Sequence, residues 1–181
     1  DCNGRMARCL QTLVLARTGV TAPLFSSIEE YLGRNTRAYY DVLAEVGGGA
    51  WHRERDARPW IRFCLTAHYR QVMTILRRTR EIQKICDQIE SMLKRLQLPE
   101  RAVLALADAA LGYRVRNTTY RNAADVSEAV AGNDLRGLVK AKLLEAHGEK
   151  RGRFYQASPL IKEIRAKVAE PKSIPDPFKE T

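Results

Sequence analysis

Apolar residues recur along the chain with a helical period. Met6, Leu10, Leu13 and Val14 fall on one face and predict a helix from about Asn3 to Arg17, stopped by Gly19. Ala22-Pro23 reads as a turn or extended segment. Ser26 or Ser27 offers an N-cap to a second helix, with Glu29 and Glu30 in the first turn, where the helix dipole favours them. That helix ends near Gly33 to Asn35. A third follows from Thr36 to Val46 and stops at Gly47-Gly48-Gly49. Apolar positions then run from Trp60, Ile61 and Phe63 through Val72, Ile75, Ile82, Ile85 and Ile89 to Leu93 and Leu96, with no Gly or Pro between residues 60 and 98. They predict one long helix over about 57–96, opened by Asp56 with Pro59 in the first turn, where a missing N–H costs little. At 1.5 Å per residue it spans roughly 57 Å, so it either kinks or leads from one domain into the next. Leu98-Pro99 ends it and marks the expected domain boundary.

The pattern changes after that boundary. A helix is expected from Pro99 to Leu111 with a Gly112 stop, a short helix from Thr118 to Ala124, a turn at Asp125-Val126-Ser127, and a helix from Ser127 to about Lys142. Leu143 to Ala146 and Arg153 to Ala157 read as strands around the tip His147 to Gly152, where Gly148 and Gly152 supply turn freedom. Helix, short helix, turn, helix and hairpin is the order of a winged helix-turn-helix. Ser158-Pro159 starts a further helix to about Ala169, and the tail from Pro171 is expected to be extended or disordered.

Charge narrows the partners. The net charge is +10, from 31 basic and 21 acidic side chains. Residues 1–57 are neutral, residues 58–97 carry nine basic and three acidic groups, and residues 98–181 carry fifteen and eleven. Such an excess suits acidic partners, nucleic acid or nucleotides among them, or a solvated basic helix face. No run of 18 apolar residues occurs, which gives no membrane-spanning helix and no membrane partner. Cys2, Cys9, Cys64 and Cys86 lie far apart, without metal-site or disulfide-scaffold spacing, so a cytoplasmic location is expected.

The candidate chemistry begins at the first residue. Asn3 and Gly4 open a helix, whose unpaired N–H groups and dipole favour an anion. Arg5 and Arg8 project from nearly one face and suit a polyphosphate. Asp1 ahead of them is a hard oxygen ligand suited to magnesium. The bland alternative is an acidic cap followed by two exposed arginines.

Asp1-Cys2-Asn3-Gly4-Arg5-Met6-Ala7-Arg8 resembles the second half of the Fic-family motif, His-Pro-Phe-x-Asp-Gly-Asn-Gly-Arg-x-x-Arg, with Cys2 in place of the first glycine. The similarity continues through Thr18-Gly19, the stretch Leu24 to Tyr31, Asn35 to Tyr40, and Pro59 to Phe63. It covers residues 1–96. The resemblance implies a protein that transfers AMP from Mg-ATP to a protein hydroxyl, its target unknown, with the histidine as general base. It implies magnesium at Asp1 and nucleotide at Asn3, Gly4, Arg5, Arg8, Tyr39 and Tyr40. The alternative for the tyrosine pair is ordinary aromatic packing. Fic folds also differ in which diphosphate compound they cleave, so another transferred group stays open. The motif histidine belongs four residues ahead of Asp1. His52, His68 and His147 are expected to be surface or structural, so the chain is expected to be an inactive fragment of a larger protein. A side chain at Cys2 could crowd the phosphate loop, and its thiol at a helix start beside Arg5 is expected to be reactive.

Residues 117–155 resemble the winged helix often appended to Fic domains, on Tyr120, Val126-Ser127, Ala131, Asp134-Leu135, Leu138-Val139, Leu143-Leu144, Gly148, Arg151-Gly152 and Tyr155. Lys142 stands where a glycine is usual. In such a fold the third helix enters the major groove and the wing grips phosphate. Asn133 and Arg136 are the base readers, and Lys150, Arg151 and Arg153 the phosphate contacts, while Glu128 and Asp134 are expected to repel phosphate. The alternative to DNA binding is a protein-contact or oligomerisation module, a homodimer included, or a purely structural appendage; the alternative to the enzyme is a non-enzymatic regulator whose winged helix binds DNA. The expected architecture is therefore mainly α: a helical Fic-domain remnant over 1–97, a winged helix-turn-helix with a small β-hairpin wing over 98–158, and a helix with an extended tail over 159–181.

Overall fold

In a computed structural model that describes residues 3–19, 27–49 and 53–178, the apolar periodicity becomes helix over most of the chain. The helices are α1 (Asn3–Arg17), α2 (Glu29–Arg34), α3 (Thr36–Gly47), α4 (Arg58–Arg95), α5 (Val103–Leu111), α6 (Asn117–Ala124), α7 (Glu128–Lys140) and α8 (Pro159–Val168). The strands β1 (Leu144–His147) and β2 (Phe154–Ala157) form one antiparallel hairpin. The fold is mainly α with a small two-stranded sheet, as the pattern predicts. Asp1, Cys2, Ala22-Pro23, Ser26 and His52 lie outside the described residues. No described helix is long and apolar enough to cross a membrane.

The chain divides into two compact units, Asp1–Leu76 with Lys172–Thr181, and Arg77–Pro171. The division falls inside α4, whereas the sequence places its boundary at the end of that helix.

In the first unit, Ile28, Leu32 and Ala67 are buried together, with Tyr31, Tyr39 and Phe63 packed against them. α2 is short. Its cap position, Ile28, supplies no side-chain bond, and Ser27 Oγ accepts from the Glu29 N–H at 3.4 Å. Asp56 accepts from the Arg58 N–H at 2.9 Å and so satisfies one of the free donors at the start of α4. α1 runs over the expected residues, but its apolar face is exposed: Met6, Leu10, Leu13 and Val14 are each half or more accessible. The half-buried face of α1 carries Arg8, Gln11, Thr12 and Leu15 instead. Its polar members find partners, Arg8 on Glu29 and Gln11 on His68 at 3.2 Å.

The second unit has the larger core. Ile85, Ile89 and Leu93 from α4 meet Leu106, Leu135, Leu138, Leu143 and Ile161, all nearly inaccessible. Ala105, Ala109 and Ala110 are the buried positions of α5 beside Leu106, and their small side chains let neighbouring elements approach closely. The expected Pro99 start resolves into a 3-10 turn, Glu100–Ala102, followed by α5. α6 ends at Asp125, whose left-handed φ of 50° turns the chain toward α7. Ser127 caps α7, its Oγ accepting from the Val130 N–H. Lys142 has φ 58°, in the left-handed region that favours glycine. The Leu143 N–H still bonds back to Leu138 in α7, so β1 starts one residue later than expected. The hairpin pairs Leu144 with Ala157 through His147 with Phe154, and Val115 adds a bridge to Tyr155. At Gly148 a Cβ would meet the Gly152 carbonyl at 2.9 Å, so the tip requires glycine. Ile161 and Val168 place α8 in this core rather than in a separate appendage.

Candidate functional site

Two places gather the residues that the sequence singles out. The first is the start of α1. Asn3, Gly4 and Arg5 are exposed in its first turn, and Arg8 follows one turn on, half-buried. Arg8 Nε donates to Glu29 Oε1 at 2.6 Å, and Nη1 donates to the Tyr39 hydroxyl at 3.3 Å. The guanidinium lies 5.9 Å from the centre of the Tyr39 ring. The hydrogen bond to Glu29, followed by that to Tyr39, raises the Arg8 pKa above its ordinary value. A Cβ at Gly4 would stand 3.4 Å from Arg8 Nη1 and cover that edge of the guanidinium. Tyr39 packs edge-on to Tyr40 at 5.0 Å and tilted against Trp60 at 6.0 Å, while Tyr40 remains 62% exposed.

The structure thus joins Gly4, Arg8 and Tyr39, with Tyr40 beside them. Glu29 belongs to the same set, although the sequence offers it only as a first-turn acid; a partner 21 residues away leaves no local signal. His68 is half-buried against Gln11, and burial lowers its pKa. His147 stacks on Phe154 at 5.3 Å. Among the described residues no cluster of His, Cys, Asp or Glu could hold a metal ion. The proposed magnesium ligand Asp1 lies outside them.

The second place is the outward face of α7. Asn133 and Arg136 are exposed, as expected, and Arg136 donates to the Asn133 side chain. Lys140, one turn further on, is exposed on the same side; its spacing of four from Arg136 was the available signal. Lys150 and Arg153 are exposed at the hairpin, while the Arg151 side chain lies outside the described residues.

Asp134 corrects the expectation that it repels phosphate. It is buried, accepting from Arg101 Nε at 2.7 Å and Nη2 at 3.0 Å and from the Tyr120 hydroxyl at 2.9 Å. It therefore adds no exposed negative charge to the face. Glu128 is exposed, but Arg121 pairs with it at 3.4 Å.

Comparison with family models, with curated proteins and with solved structures finds no match for the chain.

Proposed function

We propose that this chain is part of a Fic-type protein that transfers AMP from Mg-ATP to a protein hydroxyl, and that residues 1–97 are its phosphate-handling end. The observation that carries the reading is Arg8, held by Glu29 against Tyr39 beside the exposed Asn3-Gly4-Arg5 turn. In this reading the N–H groups of that turn and the Arg5 guanidinium receive phosphate oxygens. Gly4 keeps side-chain atoms away from the Arg8 edge. Tyr39 and Tyr40 offer ring surface to the nucleotide base. Bound magnesium, with Asp1 as its ligand, would neutralise phosphate charge. In this reading the base would be a histidine four residues ahead of Asp1; general-base help is typically worth 10²–10⁴-fold. Incubated with labelled ATP and lysate, the chain should label nothing. A chain carrying the upstream His-Pro-Phe segment should label itself or a target, and Arg5→Ala should abolish the label. A silent extended chain would overturn the reading.

A second reading is favoured by one observation. With Asp134 turned inward, the α7 face presents Asn133, Arg136 and Lys140 near a hairpin that carries Lys150 and Arg153. This is the set a winged helix would offer to DNA in a non-enzymatic regulator. Binding to a mixed oligonucleotide pool should then weaken with salt at a log–log slope of about −2 to −3. Absence of binding at low salt removes this reading.

A further inference from the structure

The C-terminal turns of α4 carry a charge pattern that complements its own reverse. Asp87, Ser91 and Arg95 recur every four residues on one exposed side of the helix. Asp87 accepts a hydrogen bond from Gln83 at 2.8 Å, and neither Asp87 nor Arg95 makes an ion pair among the described residues. Ser91 Oγ donates to the Asp87 carbonyl of its own helix at 2.9 Å. It is small and already satisfied, so another backbone can approach it without stranding a polar group. This ridge forms one wall of an open groove of about 710 Å³, with Met92, Leu96, Leu143, Leu160 and Ile164 along its apolar lining. Leu96 and Leu160 are each 48% exposed.

We propose that this face of α4 binds a second copy of the chain, the two α4 helices running antiparallel and crossing at Ser91. A two-fold axis through Ser91 sets Asp87 opposite the partner's Arg95 and Arg95 opposite the partner's Asp87. The contact is isologous, as closed dimers require. Acid, small residue and base in that order attract an antiparallel copy and repel a parallel one in register, which fixes orientation as well as partner. Helix axes pack 8–10 Å apart, which sets the two ridges face to face at the crossing, closes the grooves they border against each other and covers Leu96 and Leu160. Burial of those side chains drives association, and the two ion pairs select it. The inference uses no residue of the proposed nucleotide or DNA sites and stands apart from both readings.

Sedimentation equilibrium on the 181-residue chain tests it. The expected species at about 100 µM has twice the 20.5 kDa chain mass. Arg95→Asp places two acids opposite each other at both ends of the contact, and Asp87→Arg places two bases there. Each should raise the dimer dissociation constant about tenfold or more. The double variant Asp87→Arg/Arg95→Asp restores opposite charges and should return the constant to within about threefold of the wild type. Both positions are exposed, and far-UV circular dichroism checks that every variant is folded. A monomeric wild type, single variants that dimerise like the wild type, or a charge swap that fails to recover the dimer each overturns the proposal. A monomer would leave the groove to a different partner.

Discussion

At Asp134, charge alone misleads about a side chain. On an outward-facing helix position a carboxylate would push phosphate away. Here three hydrogen bonds from Arg101 and Tyr120 turn it into the link between the Glu100–Ala102 turn, α6 and α7. Burial, and then the bond to Asp134, push the Tyr120 hydroxyl pKa well above its ordinary value, which keeps it a donor to Asp134. Asp134→Ala leaves that buried hydroxyl without an acceptor. The Arg101 side chain is 42% exposed and can turn to water, so the loss falls short of a fully buried pair. We expect Asp134→Ala to lower unfolding stability by about 2–3 kcal/mol and Tyr120→Phe by about 1–2 kcal/mol. In the double variant the effects should fall short of additivity, because both remove the same bond. Urea denaturation of the four proteins measures this. An Asp134→Ala variant as stable as wild type would show that the network only positions these elements.

At the scale of elements, the end of α8 is tied to the middle of α4 by one carboxylate. Glu170 accepts from Arg80 Nη2 at 2.9 Å and from Lys84 Nζ at 2.7 Å, and its own N–H donates to Glu81 Oε1 at 2.8 Å. The hydrogen bonds from Arg80 and then Lys84 hold the Glu170 pKa down to about 2, against an ordinary 4.5. A carboxyl depressed in the folded state stabilises it above the unfolded pKa. That contribution fades as pH falls from about 4.5 and is gone below about 2. The Glu170 amide should therefore exchange faster as pH drops through this window, after correction for intrinsic exchange. Glu170→Gln should exchange quickly already at pH 6. Equal protection of the variant and the wild type at pH 6 would show that the anchor lies elsewhere.

These ties also explain what the sequence could reveal. α4, α7, α8 and the hairpin follow from signals within a few residues: unbroken apolar spacing, Ser127, Pro159 and Gly148. The start of α5 comes later than the pattern predicts because a 3-10 turn closes Ala102 onto Pro99, and β1 starts one residue later because the Leu143 N–H closes α7 on Leu138. The outward apolar face of α1 was not legible. Spacing shows that Met6, Leu10, Leu13 and Val14 share a face, but partners far along the chain decide which face packs, Glu29 for Arg8 and His68 for Gln11. The candidate site divides the same way: Gly4, Arg8 and Tyr39 stand out by motif, whereas Glu29 and the inward turn of Asp134 depend on folding.

For the whole molecule, the two units should differ in stability. Among the described residues the buried apolar side chains of the first are Ile28, Leu32, Val42 and Ala67, and four apolar residues of α1 are exposed. The second buries a contiguous core from α4 through α8. A fully buried aliphatic side chain contributes about 1.5–3 kcal/mol, so the first unit has little with which to offset its chain entropy. Both tryptophans, Trp51 and Trp60, fall within the first 76 residues of the sequence, and the Trp60 ring stacks on Phe63 at 5.9 Å. Tryptophan fluorescence therefore reports the first unit alone, while far-UV circular dichroism reports helices in both. In a urea titration the fluorescence transition should finish while about half of the helical signal persists, and a second transition should follow at higher urea. α4 would then lose its first half and keep Arg77–Arg95, which carries Ile85, Ile89 and Leu93 into the surviving core. Coincident transitions by the two probes would mean that the continuous helix couples the units strongly enough to make them one cooperative whole.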